Sequence, residues 1–246
     1  METLFISDLH LSLERPEKIN LFQGLLRGRA RDAAALYILG DLFDHFWVGN
    51  DDRTPPNPDI INELLAFSRA NQNLFIIRGN RDLMLDASFK GVSGCTLLPD
   101  NHLIEIDGEK ILLSHGDMFC TKDVSYQRYR RFMETAFTRF VFPHLPYAIR
   151  IKLSHGLRPL IKKSSVKKSM AIIDVEQSAV EQTMLDFGVQ QLIHGHTHRQ
   201  DVHEFQLNGK KATRTVLGDW YEKDCVLVCR NSEQKMMRVE AYLSLE

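Results

Sequence analysis

The sequence lacks the features that would place it across a membrane or in an oxidising compartment. No apolar run approaches the ~18 residues of a membrane-spanning helix, and the first residues show no basic segment followed by an apolar core and a cleavage site. The four cysteines form no C-x-x-C pair, which favours reduced thiols over a disulfide framework. Internal repeats and low-complexity segments are also missing. We therefore expect a cytoplasmic protein.

Composition and element order predict an α/β fold. The chain has 246 residues, 43% of them hydrophobic and 26% charged, which suits one large domain, with or without a sizeable insertion. Short apolar strands alternate with helices at first. We predict strands over 3–7, 34–39 and 74–77, separated by helices over 16–29 and 58–70. Such βαβ units gather ligands at the carboxyl ends of their strands.

The rest of the chain is richer in predicted strands. Asp107-Gly108 and Asn208-Gly209 are turn signals, each between two strands of a predicted hairpin. The predicted elements are strands over 103–106, 110–113, 192–193, 202–207, 213–217, 225–229 and 237–243, and a helix over 169–187. We therefore expect a mixed fold in which α/β units are followed by antiparallel (α+β) structure.

Polar side chains follow five of these strands. They are Asp8 and His10, Asp41, Asn80, His115, and the pair His196 and His198. Two divalent cations about 3.5–4 Å apart need such a set of oxygen and nitrogen ligands, with one carboxylate bridging them. We predict Asp41 as the bridge, with Asp8, His10 and His198 completing one site and Asn80, His115 and His196 the other. This mixed ligation favours manganese, iron or zinc over calcium.

Each motif alone is weak evidence, because D-x-H or G-D occurs by chance in many proteins. The alternative is that these residues are merely polar caps on strand ends. The ordered series, in which every member follows an apolar strand, favours the metal centre.

The series D-x-H, G-D, G-N-R-D, H and G-H-x-H resembles the pattern of the calcineurin-like metallophosphoesterase superfamily. The resemblance implies a four-layer αββα sandwich, with two sheets face to face and helices outside. Arg81 stands where most members have a histidine that helps to protonate the leaving group. A guanidinium is no acid near neutrality, but it holds phosphate oxygens with a rigid fork. Arg81 therefore suits a diphosphate, whose leaving group needs little protonation.

A narrower resemblance links the chain to the UDP-2,3-diacylglucosamine diphosphatases of bacterial lipid A synthesis. The matching stretches include residues 4–11, 36–43, 79–82, 168–175 and 192–199. The resemblance implies a two-metal pyrophosphohydrolase, with Mn²⁺ as the expected metal, that acts at the cytoplasmic face of the inner membrane. Attack at the α-phosphorus would give UMP and 2,3-diacylglucosamine 1-phosphate. The implied catalytic residues are Asn80, Arg81 and His196, and the implied substrate contacts add Asp123, Tyr126, Arg158, Ser165 and Lys168.

A basic and aromatic stretch over about 122–168 reads as a helical cap inserted into the single domain 1–246. It has twelve Lys or Arg against two acidic residues, whereas the whole chain sums to −1. Such a stretch can lie on an anionic bilayer or form a lid over acyl chains. Single-stranded nucleic acid and an ordinary solvated face are the alternatives. The resemblance favours the lipid-linked nucleotide, and no nucleic-acid partner is expected.

Three rival functions stay open. A phosphodiesterase or nuclease of the same superfamily would use the same metals. A diphosphatase for soluble nucleotide sugars would not need acyl chains. A scaffold that had lost its metals would lack ligands, yet the predicted set is complete. The sequence does not indicate an oligomeric state.

Overall fold

Two β-sheets form the centre of the protein. The computed structural model describes residues 1–44, 56–70, 73–150, 152–153 and 174–245. The strands are β1 (Thr3–Ile6), β2 (Ala35–Leu39), β3 (Asn73–Ile77), β4 (Thr96–Leu97), β5 (Asn101–Ile106), β6 (Glu109–Ser114), β7 (Gln191–His194), β8 (Asp201–Leu207), β9 (Lys210–Val216), β10 (Cys225–Arg230) and β11 (Glu233–Arg238). The first sheet has the order β11-β10-β1-β2-β3-β4 and the second β5-β6-β7-β9-β8.

The functional edge of each sheet is set by its parallel strands. In the first sheet β1, β2, β3 and β4 run parallel. In the second sheet β6, β7 and β9 run parallel, while β5 and β8 pair antiparallel at the two edges. The loops that follow parallel neighbours meet at one edge of their sheet, as the strand-end motifs require.

Helices cover the outer face of each sheet. In chain order, the helices of the structure are α1 (Pro16–Arg27), α2 (Asn57–Arg69), α3 (Phe89–Ser93), α4 (Val124–Met133), α5 (Ala136–His144), α6 (Gln177–Phe187) and α7 (Val239–Leu243), of which α4 and α5 lie in the predicted cap. Phe22 and Leu25 of α1 are fully buried in one cluster with Leu36 and Ile38 of β2. On the other side, Met184 and Val180 of α6 share a cluster with Leu112 and Leu192.

A second apolar layer fills the space between the sheets. Alternate residues of the central strands point into it, among them Phe5 of β1 and Ile193 of β7. Phe5, Tyr37 and Phe75 stack side by side in register, with ring centroids 5.1 and 4.8 Å apart. Strands buried on both faces explain why β1, β2 and β3 read as continuous apolar runs. The helix–sheet–sheet–helix order confirms the predicted αββα fold.

The structure corrects two predicted elements. Residues 174–176 precede α6 and are not helical, because Glu176 donates its backbone N–H to the carbonyl of Phe119 (2.9 Å) and Asp174 pairs with Arg199. The predicted strand over 237–243 is wrong after Arg238, where α7 begins and buries Val239 and Tyr242. The two-residue strand β4 is too short for a periodic signal, and the pattern missed it.

The predicted cap begins after β6 and contains α4 and α5. Its description as an insertion in a single domain stays a prediction, since 154–168 lies outside the described residues. Among the described helices, none combines the length and apolar character that crossing a bilayer would need.

Candidate metal centre

The loops after the central strands are tied together by backbone hydrogen bonds. His10 N–H donates to the carbonyl of Asp41 (2.9 Å), and Asp8 N–H donates to that of Gly40 (3.1 Å). In the second sheet, Gly195 N–H donates to the carbonyl of His115 (2.9 Å). These bonds bring the strand-end motifs of both sheets to one place.

The backbone at this place adopts conformations that side chains rarely accept. Five of the predicted ligands have φ in the left-handed region, namely Asp8 (55°), His10 (47°), Asp41 (53°), His196 (70°) and His198 (60°). Each such residue costs of order 1–3 kcal/mol, and strain of this kind clusters at functional sites. The local sequence therefore gives up stability to aim these side chains.

One group of ligand atoms surrounds Asp8. His198 Nε2 lies 3.3 Å from Asp8 Oδ1, and His10 Nε2 lies 3.4 Å from His198 Nε2. His10 Nε2 is also 3.7 Å from Asp41 Oδ2. Asp8 Oδ1 is buried without a hydrogen-bond partner among the described residues. A buried carboxylate oxygen facing two imidazole nitrogens suits a divalent cation.

A second group lies on the other side of Asp41. His115 Nε2 is 3.7 Å from Asp41 Oδ1, and Asn80 Oδ1 is 3.1 Å from that nitrogen. His196 Nδ1 lies 2.9 Å from Asn80 Oδ1. The two oxygens of Asp41 thus face different groups, which suits a carboxylate that bridges two cations. The structure brings all seven predicted ligands together, and their donor atoms fit two divalent cations.

Neighbouring contacts orient the ligands. The Nδ1 atom of His115 faces the carbonyl of Leu39 at 2.8 Å, which leaves Nε2 directed at Asp41. Asp8 Oδ2 accepts hydrogen bonds from Ser7 Oγ (2.7 Å) and from the backbone N–H of His196 (2.8 Å). A histidine whose second nitrogen is fixed in this way has a defined tautomer for ligation.

Two glycines of the motifs make room for these contacts. A Cβ on Gly79 would lie 2.2 Å from Asp41 Oδ1. A Cβ on Gly195 would lie 2.0 Å from Ser7 Oγ and 2.3 Å from Asp8 Oδ2. The G-N-R-D and G-H-x-H motifs therefore need glycine because of close approach between loops.

Comparison with known proteins decides the family. A family model described as Calcineurin-like phosphoesterase matches residues 1–200. The chain belongs to this family. Members of the family bind divalent metal ions, and two candidate groups here, Asp8 with His10 and His198 and Asp8 with Asp41 and His115, have ligand atoms within 4.8 Å of one another.

Curated relatives match the chain along nearly their whole length. A UDP-2,3-diacylglucosamine hydrolase of Aeromonas hydrophila is 43% identical over 96% of this chain and 98% of the relative. A protein of the same name from Shewanella loihica is 45% identical over 92% of this chain and 91% of the relative. These relatives confirm the narrower resemblance. Among solved structures, Yfce, a phosphoesterase from E. coli, aligns over 98% of this chain and 94% of that chain with a TM-score of 0.48 and 14% identity.

Burial and neighbouring charges shift the pKa values of several groups at this calcineurin-like centre. Burial raises the pKa of Asp8, but the nearby imidazoles of His198, His115 and His10 outweigh it and hold the pKa well below its usual range. Burial lowers the pKa of His196 to about 4, so this ring is neutral near pH 7, as a ligand must be. Burial and the charge of Asp41 raise the pKa of Asp82 to about 7.

The predicted substrate contacts are only partly described. Arg81 donates its backbone N–H to Asp41 Oδ1 (2.8 Å) and its guanidinium to the carbonyl of Asp44 (3.2 Å). Asp123 caps α4 by accepting from the backbone N–H of Tyr126 (3.0 Å), whose ring lies 6.5 Å from that of His196. Tyr126 therefore reaches the edge of the metal centre. Arg158, Ser165 and Lys168 lie outside the described residues.

Sequence reasoning missed two groups of residues at this centre. Asp219 and Tyr221 contact His198 from the loop after β9. Asp117 and Arg130 form a buried ion pair between α4 and the loop that carries His115. A signal for Asp219 was present, because Gly218-Asp219 follows a predicted strand just as Gly40-Asp41 does.

Proposed function

We propose that this chain hydrolyses the diphosphate bond of UDP-2,3-diacylglucosamine in lipid A synthesis, giving UMP and 2,3-diacylglucosamine 1-phosphate. The observation that carries the proposal is the position of Asp41, whose two carboxylate oxygens face separate groups of ligand atoms. Relatives that share 43–45% identity along nearly their whole length are named for hydrolysis of this substrate. Diphosphate hydrolysis is a reaction that such a dinuclear centre can perform.

The proposed ligands divide into two sets that share Asp41. Asp8, His10 and His198 form one, and Asn80, His115 and His196 form the other. Two divalent cations, with Mn²⁺ as the expected metal, supply charge neutralisation and a more acidic nucleophilic water when bound. The protein contributes the buried carboxylates that attract the cations and the strained loops that aim the ligands.

The remaining roles belong to groups that meet the phosphates. Arg81 binds phosphate oxygens with its guanidinium, which leaves the carbonyl of Asp44 for a charged partner. The Asn80 amide donates to a phosphate oxygen while its carbonyl faces the metal set. His196 stabilises charge near the phosphoryl group, and attack falls on the α-phosphorus in line with the departing phosphate monoester.

The cap holds the other end of the substrate. Asp123 and Tyr126 sit at the start of α4, near His196. In this proposal they contact the substrate together with Arg158, Ser165 and Lys168 of the later cap. Arg158 and Lys168 add positive charge that suits the phosphates.

The cap also docks the enzyme on the cytoplasmic face of the inner membrane. Phe132, Phe137 and Phe140 are 60%, 74% and 70% exposed. Exposed Arg128 and Arg131 lie on α4, the helix that carries Phe132. Exposed aromatic rings with basic neighbours suit an anionic bilayer surface, where the rings enter the acyl boundary and the cations meet phosphate headgroups.

Product analysis tests the proposed reaction. Purified protein is incubated with UDP-2,3-diacylglucosamine and Mn²⁺, and the products are identified by mass spectrometry. We expect UMP and the lipid 1-phosphate, lost with a chelator and in Asp41→Ala. Turnover by a well-folded Asp41→Ala variant would refute the two-metal proposal.

Three further substrates separate the rival functions. Faster cleavage of bis(p-nitrophenyl) phosphate or DNA would indicate a phosphodiesterase or nuclease instead. Equal rates on delipidated UDP-glucosamine would indicate a diphosphatase for soluble nucleotide sugars.

A further inference from the structure

The ring of His198 is less buried than those of the candidate ligands His10 and His115, so its orientation depends more on contacts with neighbouring residues. Its side chain is 34% exposed, whereas the side chains of His10 and His115 are 4% and 1% exposed. It ends the G-H-T-H loop in a left-handed conformation. Burial therefore fixes this ring less than it fixes the other two, yet its Nε2 atom must face Asp8 Oδ1 for a cation to bind between them.

Asp219 supplies a contact on the opposite side of this ring. Its Oδ2 atom lies 3.0 Å from His198 Nδ1. Its Oδ1 atom accepts backbone hydrogen bonds from Tyr221 (2.8 Å) and Glu222 (3.0 Å). One oxygen thus holds the turn and leaves the other directed at the imidazole, so the carboxylate cannot rotate away without losing two hydrogen bonds.

Tyr221 packs against the same histidines. Its ring lies 6.2 Å from that of His198, at an interplanar angle of 25°, and 5.1 Å from that of His10. The guanidinium of Arg15 lies 3.8 Å from the ring centroid, and the hydroxyl donates to Asp44 (3.0 Å). The turn that begins at Asp219 is therefore fastened beside this part of the centre.

We propose that Asp219 is a positioning residue that accepts the Nδ1 proton of His198 and so keeps Nε2 available to the cation at Asp8 and His10. A carboxylate behind a ligating histidine fixes its tautomer and orientation and raises its basicity. The proposal rests on the proposed two-metal centre. It also predicts asymmetry, because His115 uses the carbonyl of Leu39 for the same purpose and does not depend on Asp219.

Asp219→Asn separates this role from a merely structural one. The amide oxygen of Asn keeps the turn by accepting from the backbone of 221 and 222. Its NH₂ group then faces His198 Nδ1 and favours the tautomer with the proton on Nε2, which cannot bind a metal ion. If Asp219 only holds the turn, Asn is tolerated and Ala is not. If it positions His198, both substitutions weaken metal binding.

The experiment measures Mn²⁺ binding to metal-free protein by calorimetric titration, without substrate. We expect two binding steps in the wild type. In Asp219→Asn and Asp219→Ala we expect one step to weaken about 10–100-fold and the other to stay within about threefold. Glu222→Gln is the matched control, because it neutralises an exposed carboxylate in the same turn, and it should bind as the wild type does.

A second background tests whether the effect passes through His198. In a His198→Ala protein, Asp219→Asn should cause no further loss. An undiminished loss there, or wild-type binding by Asp219→Asn, would overturn the proposal. Failure of the wild type to bind two Mn²⁺ ions would instead refute the two-metal centre. Absence of turnover with intact binding would refute only the substrate.

Discussion

Removing the guanidinium of Arg130 should cause the largest loss of stability among the substitutions considered. Arg130 is a charged residue of α4 that is only 3% exposed. Its guanidinium pairs with Asp117, with Asp100 (2.8 Å) and with Glu134 (3.2 Å). The hydroxyl of Tyr126, one turn earlier, donates to the same carboxylate of Asp117. This cluster joins the cap helix to the loop that carries His115.

Removing the cation leaves Asp117 buried without its partner. Burial alone would raise the pKa of Asp117, but Arg130 and His115 outweigh it and hold the pKa below its usual value. Breaking a buried pair at one partner costs about 3–5 kcal/mol. A typical domain has only about 5–15 kcal/mol of stability. We expect Arg130→Met, which keeps much of the aliphatic volume, to lower the free energy of unfolding by about 3 kcal/mol or more.

Urea unfolding followed by circular dichroism measures this loss. Asp117→Asn and the double variant complete a cycle, and the double variant should lose less than the sum of the single losses, because no uncompensated charge remains at position 117. Arg131→Met is the matched control, since Arg131 is the exposed neighbour on the same helix, and it should change stability by less than about 0.5 kcal/mol. Equal losses at 130 and 131, or strict additivity with Asp117→Asn, would refute the reasoning.

Three other predictions concern a pKa, a close approach and a surface. Burial lowers the pKa of His194 from its usual 6.5 to about 3, so between these pH values unfolding takes up a proton. The free energy of unfolding therefore falls by about 1.4 kcal/mol for each unit that the pH is lowered in this range, and unfolding curves of His194→Gln should show a flatter pH slope. Gly195→Ala should abolish Mn²⁺ binding through its clash with Asp8, while Gly91→Ala, where a Cβ meets nothing within 4 Å, should not. Replacing Phe132, Phe137 and Phe140 by Ser should reduce sedimentation with phosphatidylglycerol vesicles at least tenfold but leave turnover of detergent-solubilised substrate; unchanged sedimentation would contradict the membrane surface.

The arrangement of the candidate metal ligands could be predicted because the signals are local. Each ligand follows an apolar strand directly, and parallel strands bring their ends to one edge whatever the rest of the chain does. Asp8, His10 and Asp41 therefore meet without any knowledge of long-range packing. The alternation of strands and helices predicted the mixed α/β character of the fold, whereas the αββα layers were expected from the family resemblance. The prediction of a strand over 237–243 failed because the five residues of α7 are too few to show a helical period.

Gly218-Asp219 follows a predicted strand, but the contacts of the supporting residues could not be predicted, because they depend on packing between distant elements. Asp219 meets His198 only because β9 pairs in parallel beside β7, a register that the sequence does not display. In the sequence, nothing distinguishes Arg130 from the other basic residues of the predicted cap. Its burial depends on how α4 lies against Asp117 and Asp100, and helical periodicity does not reveal that orientation.

Neither sheet could hold the proposed centre alone. Asp8, His10, Asp41 and Asn80 follow strands of the first sheet, whereas His115, His196 and His198 follow strands of the second. The two sets are joined at Asp8, whose Oδ2 accepts the backbone N–H of His196. A shift of one sheet against the other would break this bond and separate both ligand groups at once. The apolar layer between the sheets therefore does more than stabilise the fold. It fixes the distance between the two halves of the site, which explains why close-packing glycines, strained ligands and the Asp219 turn all concentrate at this edge.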